Sequence, residues 1–230
     1  SINFMYKKKQ FSKLEGQYQK YQEGGSVGFM MDICHKGLEI NNNLNSNSNI
    51  LEIGAGSSPH IDYVNHDFKK YYFLESSNFA INFLKKKFKK NNKVFIKYYK
   101  NNKIPLKKNY FDRIIISHVL EHIPDPESYL NQMFNLLKKN GILSIALPSD
   151  PGIMWRIGRF LLTIFKVKKI LNISKEEYNY MIATEHINSI FNLISIIKYK
   201  YKKNIIDEKY LPFKIKSLDL NLFYNVTLKK

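Results

Sequence analysis

Glu52, Gly54, Ala55 and Gly56 stand together in ILEIGAGSSPH, an apolar run that closes on an acid and a glycine turn. A strand that ends in such a turn commonly faces a nucleotide. The dinucleotide fingerprint G-x-G-x-x-G is broken here, because Pro59 occupies its third glycine position. No G-K-[ST] follows, so the turn is not a triphosphate-binding loop either. Glu52 narrows the ligand. A carboxylate beside the turn repels a pyrophosphate and can hold a cation, directly or through water. An adenosine ligand that carries an amino group and a sulfonium, and no phosphate, suits that site. Glu75, with Ser76 beside it, falls about 20 residues on, where an acid takes ribose hydroxyls.

Three histidines carry further chemistry. His118 and His186 are candidate general bases, since imidazole titrates near neutrality. Ser117-His118 also stands where a cofactor would lie. His122 either meets substrate or fixes the turn by bonding to loop backbone. His118, Glu121 and His122 are all metal-ligand types, but three such residues within five also make an ordinary solvated turn, and no metal is expected. The stretch PSDPGIMWRIGRFLLTIFKVKKI is basic and amphipathic. Trp155, Ile157, Phe160, Leu161 and Ile164 recur near helical spacing, among Arg156, Arg159, Lys166, Lys168 and Lys169. Arg156 and Arg159 can grip an anionic substrate. The same stretch reads equally as an anionic-membrane contact or as a solvated face of a packed helix. Tyr18, Tyr21, Tyr178 and Tyr180 are candidates for the other wall of the pocket.

The elements that must position these residues alternate. Strands are expected at 49–53, 71–74, 94–98, 113–117 and 142–147. Helices are expected at 60–65, 79–90 and 125–139, the last with Asn140-Gly141 as its cap. Two helices, 13–22 and 30–40, precede the first strand. This β-α alternation implies α/β architecture with a doubly wound parallel sheet and right-handed crossovers. Ligands in such sheets sit outside the carboxyl ends of the strands, where Glu52, Glu75, Ser117 and Asp150 fall.

Bulk properties fit one globular domain of 230 residues, with 44% hydrophobic residues, 16 Phe and 16 Tyr. Cys34 is the single cysteine, so no intramolecular disulfide forms, in keeping with a reducing, cytoplasmic location. The first residues lack the apolar core of a secretory signal, and no apolar run has the length of a membrane span. Lys+Arg 37 against Asp+Glu 19 gives a net charge of +18. That charge fits nucleic acid or anionic membrane, or simply a Lys/Asn/Ile-rich composition, since the lysines are scattered over every segment.

The ordered set E-I-G-A-G, Glu75 and FDRIIISHVLEHIPDPESYLNQMFNLLKKNGILSIALP resembles class I S-adenosylmethionine-dependent methyltransferases, of the small-molecule type with LEH-x-x-D after strand four. The resemblance spans residues 48–150. It implies a seven-stranded Rossmann-like sheet that ends in an antiparallel hairpin, which strands at 205–211 and 222–228 after a helix at 192–203 would supply, a substrate-side insertion at 148–188, and S-adenosylmethionine as cofactor. It assigns Gly54 and Gly56 to the methionine part, Glu75 to the ribose, and Ser117-His118 to the methionine and reactive methyl. The Asp that usually binds adenine is missing from YYKNNKIPL, with Asn101 or Asn102 as substitutes. The expected function is methyl transfer to a small polar acceptor, first a hydroxyl of a sugar or nucleotide-linked glycan precursor. N-methylation of a small amine or phosphorylated metabolite, RNA methylation and a non-catalytic binding scaffold are the alternatives. No stable nucleic-acid complex is expected. The turn after strand four is SHVLEH and not the D/N-P-P-Y of DNA amino-methylating enzymes, and Cys34, the one cysteine that could serve as a cytosine-C5 nucleophile, falls in the N-terminal helix. The chain is expected to be a monomer or homodimer.

Overall fold

A computed structural model describes residues 25–40, 44–99, 104, 106–162, 169 and 171–230. The expected helix at 13–22 and the candidates Tyr18, Tyr21, Asn101, Asn102, Lys166 and Lys168 lie outside the described residues.

Seven strands form one sheet: β1 (Asn49–Ile53), β2 (Lys70–Glu75), β3 (Val94–Tyr98), β4 (Phe111–Ser117), β5 (Leu137–Pro148), β6 (Ile205–Leu211) and β7 (Phe223–Lys229). Their spatial order is β3-β2-β1-β4-β5-β7-β6. The first five are parallel, while β7 runs antiparallel to β5 and β6. This is the expected α/β, Rossmann-like sheet with its terminal antiparallel pair. β1 is buried at every position, as its apolar run requires in a sheet covered on both faces.

Six helices are described. They are α1 (Gly25–Leu38), α2 (Asn78–Lys87), α3 (Pro126–Leu136), α4 (Ile153–Leu162), α5 (Lys175–Glu185) and α6 (Ile190–Tyr201). Side-chain caps start several of them. Ser77 accepts from the Ala80 N–H, Asp125 from Ser128 and Ser189 from Asn192, each satisfying an amide with no partner inside its helix. No helix among the described residues is long and apolar enough to cross a membrane.

Two expected elements differ. The helix expected at 125–139 stops at Leu136, and Leu137 enters β5 directly. Leu136 and Leu137 are buried, and Leu137 pairs with Phe111, so the core claims them as strand entry. Asn140, at φ +64°, then bends the strand where its register against β4 shifts. The Asn-Gly pair therefore serves a bulge and not a helix end. The helix expected at 60–65 is a single tight turn, His60–Tyr63.

α1 lies against one face of the sheet and belongs to its core. Cys34 and Leu38 are fully buried with Ile50, Tyr71 and Phe73. Beneath α1 runs a buried polar network. Arg113 of β4 donates to Ser144 Oγ at 3.1 Å and to the Leu38 carbonyl at 3.0 Å, and pairs with Glu39 at 2.7 Å. His60 Nε2 lies 2.8 Å from Glu39 Oε1, and His60 Nδ1 lies 3.0 Å from His35 Nδ1. The carboxylate can only accept, so His60 carries its proton on Nε2. His60 Nδ1 must then accept from His35, which leaves His35 Nε2 as a bare lone pair. That atom is buried without a partner, as this proton order requires.

Candidate active site

The glycine turn after β1 needs its glycines for two different reasons. Gly54 has φ +68°, and a Cβ there would stand 2.6 Å from Val119. Gly56 has φ +56°, but a Cβ there would meet nothing within 4 Å. Gly54 is thus required by the fold, whereas Gly56 leaves open room above the turn. Ala55 packs partly buried against the α1-side core.

Glu75, at the end of β2, holds the edge of that room. Its carboxylate accepts from Gly56 N at 3.0 Å, Ser76 N at 2.7 Å and Ser77 N at 3.2 Å. The acid therefore ties the glycine turn to the start of α2. Glu52 departs from its expected role of holding a cation. It is buried, and its two oxygens accept from the His60 N–H at 2.7 Å and the Tyr71 hydroxyl at 2.5 Å. Burial outweighs these donors and pushes its carboxyl up to about 7. Glu52 shapes the turn from below.

At the end of β4, Ser117 is followed by His118 in the left-handed region, φ +54°. His118 has both ring nitrogens occupied. Nε2 lies 3.6 Å from Cys34 Sγ, and Nδ1 lies 3.7 Å from Glu121 Oε1. Burial disfavours its charged form, but the Cys34 thiol and Glu121 carboxylate outweigh that and raise it to about 10. Glu121 is itself lowered: burial raises it, and His118, His122 and His186 together lower it more.

Residues from the segment between β5 and α6 pack against this turn. His122 donates through Nδ1 to the Glu185 carbonyl at 2.8 Å, and its Nε2 lies 3.8 Å from Glu121 Oε1. His186 uses Nδ1 against Asp150 Oδ2 at 2.8 Å, and its ring stands 5.1 Å from the His122 ring. Asn188 Nδ2 donates to the Leu120 and Ile123 carbonyls at 3.1 and 2.6 Å, and its N–H donates to the Glu121 carbonyl at 3.1 Å. Sequence reasoning missed Asn188; its one signal was a short amide two residues after His186, able to bond loop backbone. Asp150 was placed at the rim without a partner, and His186 is the partner.

Of the two candidate arginines of α4, Arg159 reaches to 4.0 Å from Asp150, while Arg156 is exposed. The outer side of α4 leaves Ile153, Ile157, Phe160 and Leu161 exposed. Trp155 turns inward, with its ring 6.2 Å from His186 and 6.3 Å from Phe223. The tyrosine pair separates. Tyr178 is buried in a small cluster with Leu171, Met181 and Ile182, whereas Tyr180 is exposed.

Four buried polar atoms in this region have no hydrogen-bond partner: Ser117 Oγ, Ser149 Oγ, Trp155 Nε1 and Glu121 Oε2. Buried polar groups are ordinarily paired, so this set points to a polar ligand. A cavity of about 450 Å³ opens beside the glycine turn, lined by Ser57, Ser58, Pro59, Gly28, Asp32 and Tyr63, among others. Another, about 330 Å³, lies at the amino ends of the strands near Ser48, Asp112 and Asn140. It is at the wrong edge of the sheet for the ligand of a parallel α/β fold. The open room over Gly56, the aligned Glu75 carboxylate and the partnerless Ser117 hydroxyl fit S-adenosylmethionine.

The sheet order and the glycine turn are those of the Rossmann-like methyltransferase fold. The sequence pattern of the Methyltransferase domain family matches residues 28–196. The chain belongs to that family, and S-adenosylmethionine is its cofactor. No curated protein matches it by sequence. Among solved structures, it is similar to an S-adenosylmethionine-dependent methyltransferase of Thermotoga maritima described as a possible histamine N-methyltransferase. The identity is 15% and the TM-score 0.63, over 96% of this chain and 98% of that one. It also resembles the CurJ carbon methyltransferase, at 15% identity and TM-score 0.60, over 92% of this chain and 57% of that one. The [4+2]-cyclase SpnF is similar at 11% identity and TM-score 0.60, over 90% and 83% of the two chains. One fold thus serves nitrogen, carbon and cyclisation chemistry, and the acceptor must be argued from the site.

Proposed function

We propose that the chain transfers the methyl group of S-adenosylmethionine to a hydroxyl of a small polar acceptor, first of all a sugar or nucleotide-linked glycan precursor. One observation carries the reading. Ser149 Oγ and Trp155 Nε1 are buried without partners beyond the carboxyl end of β5, where a hydroxyl-rich acceptor would supply them. The sulfonium supplies an already activated methyl group. The acceptor oxygen must approach that methyl in line with the C–S bond. The bond breaks with its electron pair staying on sulfur, and the hydroxyl proton leaves. The protein's share is alignment and exclusion of water, with Trp155, His186 and Asn188 closing the insertion over the rim.

Of the two histidines expected to handle the proton, this reading keeps His186. Asp150 fixes its Nδ1, while both nitrogens of His118 already face Cys34 and Glu121. His118 and Ser117 then border the methionine end of the cofactor, His122 and His186 border the acceptor, and Arg156 and Arg159 attract an anionic group on it.

Calorimetric titration with S-adenosylmethionine and S-adenosylhomocysteine tests the cofactor half. Micromolar binding is expected (about −8 kcal/mol), weakened at least ~10-fold in Glu75→Ala. An acceptor screen that begins with nucleotide sugars tests the rest. His186→Ala is expected to lower turnover by ~10²-fold or more. An acceptor without an anionic group, turned over equally by Arg156→Ala and Arg159→Ala, would remove the anion from the reading. A small amine as the methylated partner would replace the hydroxyl.

A further inference from the structure

We propose that Glu121, His122 and His186 form a binding site for a divalent transition-metal ion, with two imidazole nitrogens and one carboxylate as ligands. One ligand atom from each lies within 4.8 Å of the others, spacing that a small inward adjustment around an ion would close. Three independent features point the same way.

The first is Glu121 Oε2, which is buried and has no partner, although Oε1 of the same carboxylate is shared by His118 at 3.7 Å and His122 at 3.8 Å. A bare carboxylate oxygen in the interior is costly, and an ion would satisfy it. The second is the state of the two rings. Each has Nδ1 engaged by an acceptor, the Glu185 carbonyl for His122 and the Asp150 carboxylate for His186. An acceptor on Nδ1 fixes the proton there and leaves the Nε2 lone pair as the ligand, the usual outer support of a metal-bound histidine. The third is rigidity. Asn188 bonds the carbonyls of Leu120, Glu121 and Ile123, so the segment bearing His186 is held against the turn bearing the other two ligands.

Mixed imidazole and carboxylate donors select zinc, cobalt, nickel or iron(II) over magnesium and calcium, which prefer all-oxygen shells. Three protein ligands leave coordination positions open. What the ion does rests on the proposed acceptor reading. A hydroxyl bound there would be acidified, its proton released to solvent, and its oxygen held towards the methyl group. His186 would then act in proton removal as a ligand. The binding itself does not depend on that reading.

Cobalt(II) is the probe, because its visible absorption reports coordination by nitrogen. Protein without a histidine tag is stripped with a chelator and titrated. The expected result is one equivalent bound, with visible bands that His122→Asn and His186→Asn each abolish or weaken at least ~10-fold in affinity. Asp150→Asn should weaken binding by ~10-fold while removing no ligand. Thermal melts of each variant establish folding, and the solvent-facing His122 gives the variant least able to disturb the core. Cobalt bound without a defined equivalence, or bands unchanged in the His122→Asn, His186→Asn double variant, would overturn the site. S-adenosylhomocysteine titrated into the same samples separates the two ideas. Intact cofactor binding without cobalt sinks only the metal. Cobalt binding without cofactor binding supports the metal and removes the transferase reading.

Discussion

Gly56→Val is expected to remove S-adenosylmethionine binding and leave the chain folded. Two properties of Gly56 separate these effects. Its φ of +56° is left-handed, where a side chain costs about 1–2 kcal/mol. The space above it is open, so valine meets no protein atom within 4 Å at its Cβ and adds little further strain. For a chain of this length, such a cost lowers the melting temperature by roughly 2–8 °C. The same open space is where the cofactor would lie, and the Gly56 N–H fastens the turn to Glu75 at 3.0 Å. The new side chain fills that room, and an affinity loss of at least ~100-fold, about 2.7 kcal/mol, is expected. Titration calorimetry beside a thermal melt measures both. Undiminished affinity would place the cofactor elsewhere. Gly54→Ala behaves differently, because its Cβ would press on Val119 at 2.6 Å and the fold itself yields.

Glu39→Ala is expected to cost about 3–5 kcal/mol of folding stability, read by urea denaturation. Arg113 is fully buried, and Glu39 at 2.7 Å is its counter-charge. Removing the carboxylate strands the guanidinium and leaves the His60 Nε2–H without its acceptor. A loss under about 1 kcal/mol would mean that the pair is solvated.

The same network sets the acid limb of stability. Burial raises Glu39, but the hydrogen bond from His60 and the charge of Arg113 bring its carboxyl down to about 2, from a usual 4.5. Its contribution is present above about 4.5 and is lost as the pH falls towards 2. His35 and His60 are held below 6.5, chiefly by burial, so their contribution is present above 6.5 and is lost as the pH falls. Glu52, raised to about 7 by burial, has the opposite sign: its contribution is present below about 4.5 and fades as the pH rises through 7. Urea midpoints measured from pH 8 to pH 3 should fall on the acid side in the wild type. In Glu39→Ala the part below pH 4.5 should flatten.

The places of the strands along the chain and the glycine turn were legible in the sequence because their signals are local. A buried parallel strand needs a continuous apolar run, and NILEI, KYYFLE and FDRIIIS provide it within a few residues. The left-handed turn needs glycine, and the acid that ties it needs only to end the next strand. The end of α3 was not legible. Asn140-Gly141 carries the local signature of a helix cap, but burial of Leu136 and Leu137 against β4 converts it into a strand bulge. Tertiary packing outweighs a signal of that size.

By itself, the sequence determined where the parallel strands and the glycine turn fall and put forward Glu75, Ser117, His118, His122 and His186 as candidates, since periodicity and turn chemistry are properties of short segments. Only the tertiary structure decided what each candidate touches. It turned Glu52 under the glycine turn, set His118 between Cys34 and Glu121, and joined His186 to Asp150 across 36 residues and His122 to Glu185 across 63. Such pairings arise where separate loops meet at the carboxyl edge of the sheet. No spacing along the chain encodes them, because the distance between two side chains there is set by packing and not by the number of residues between them.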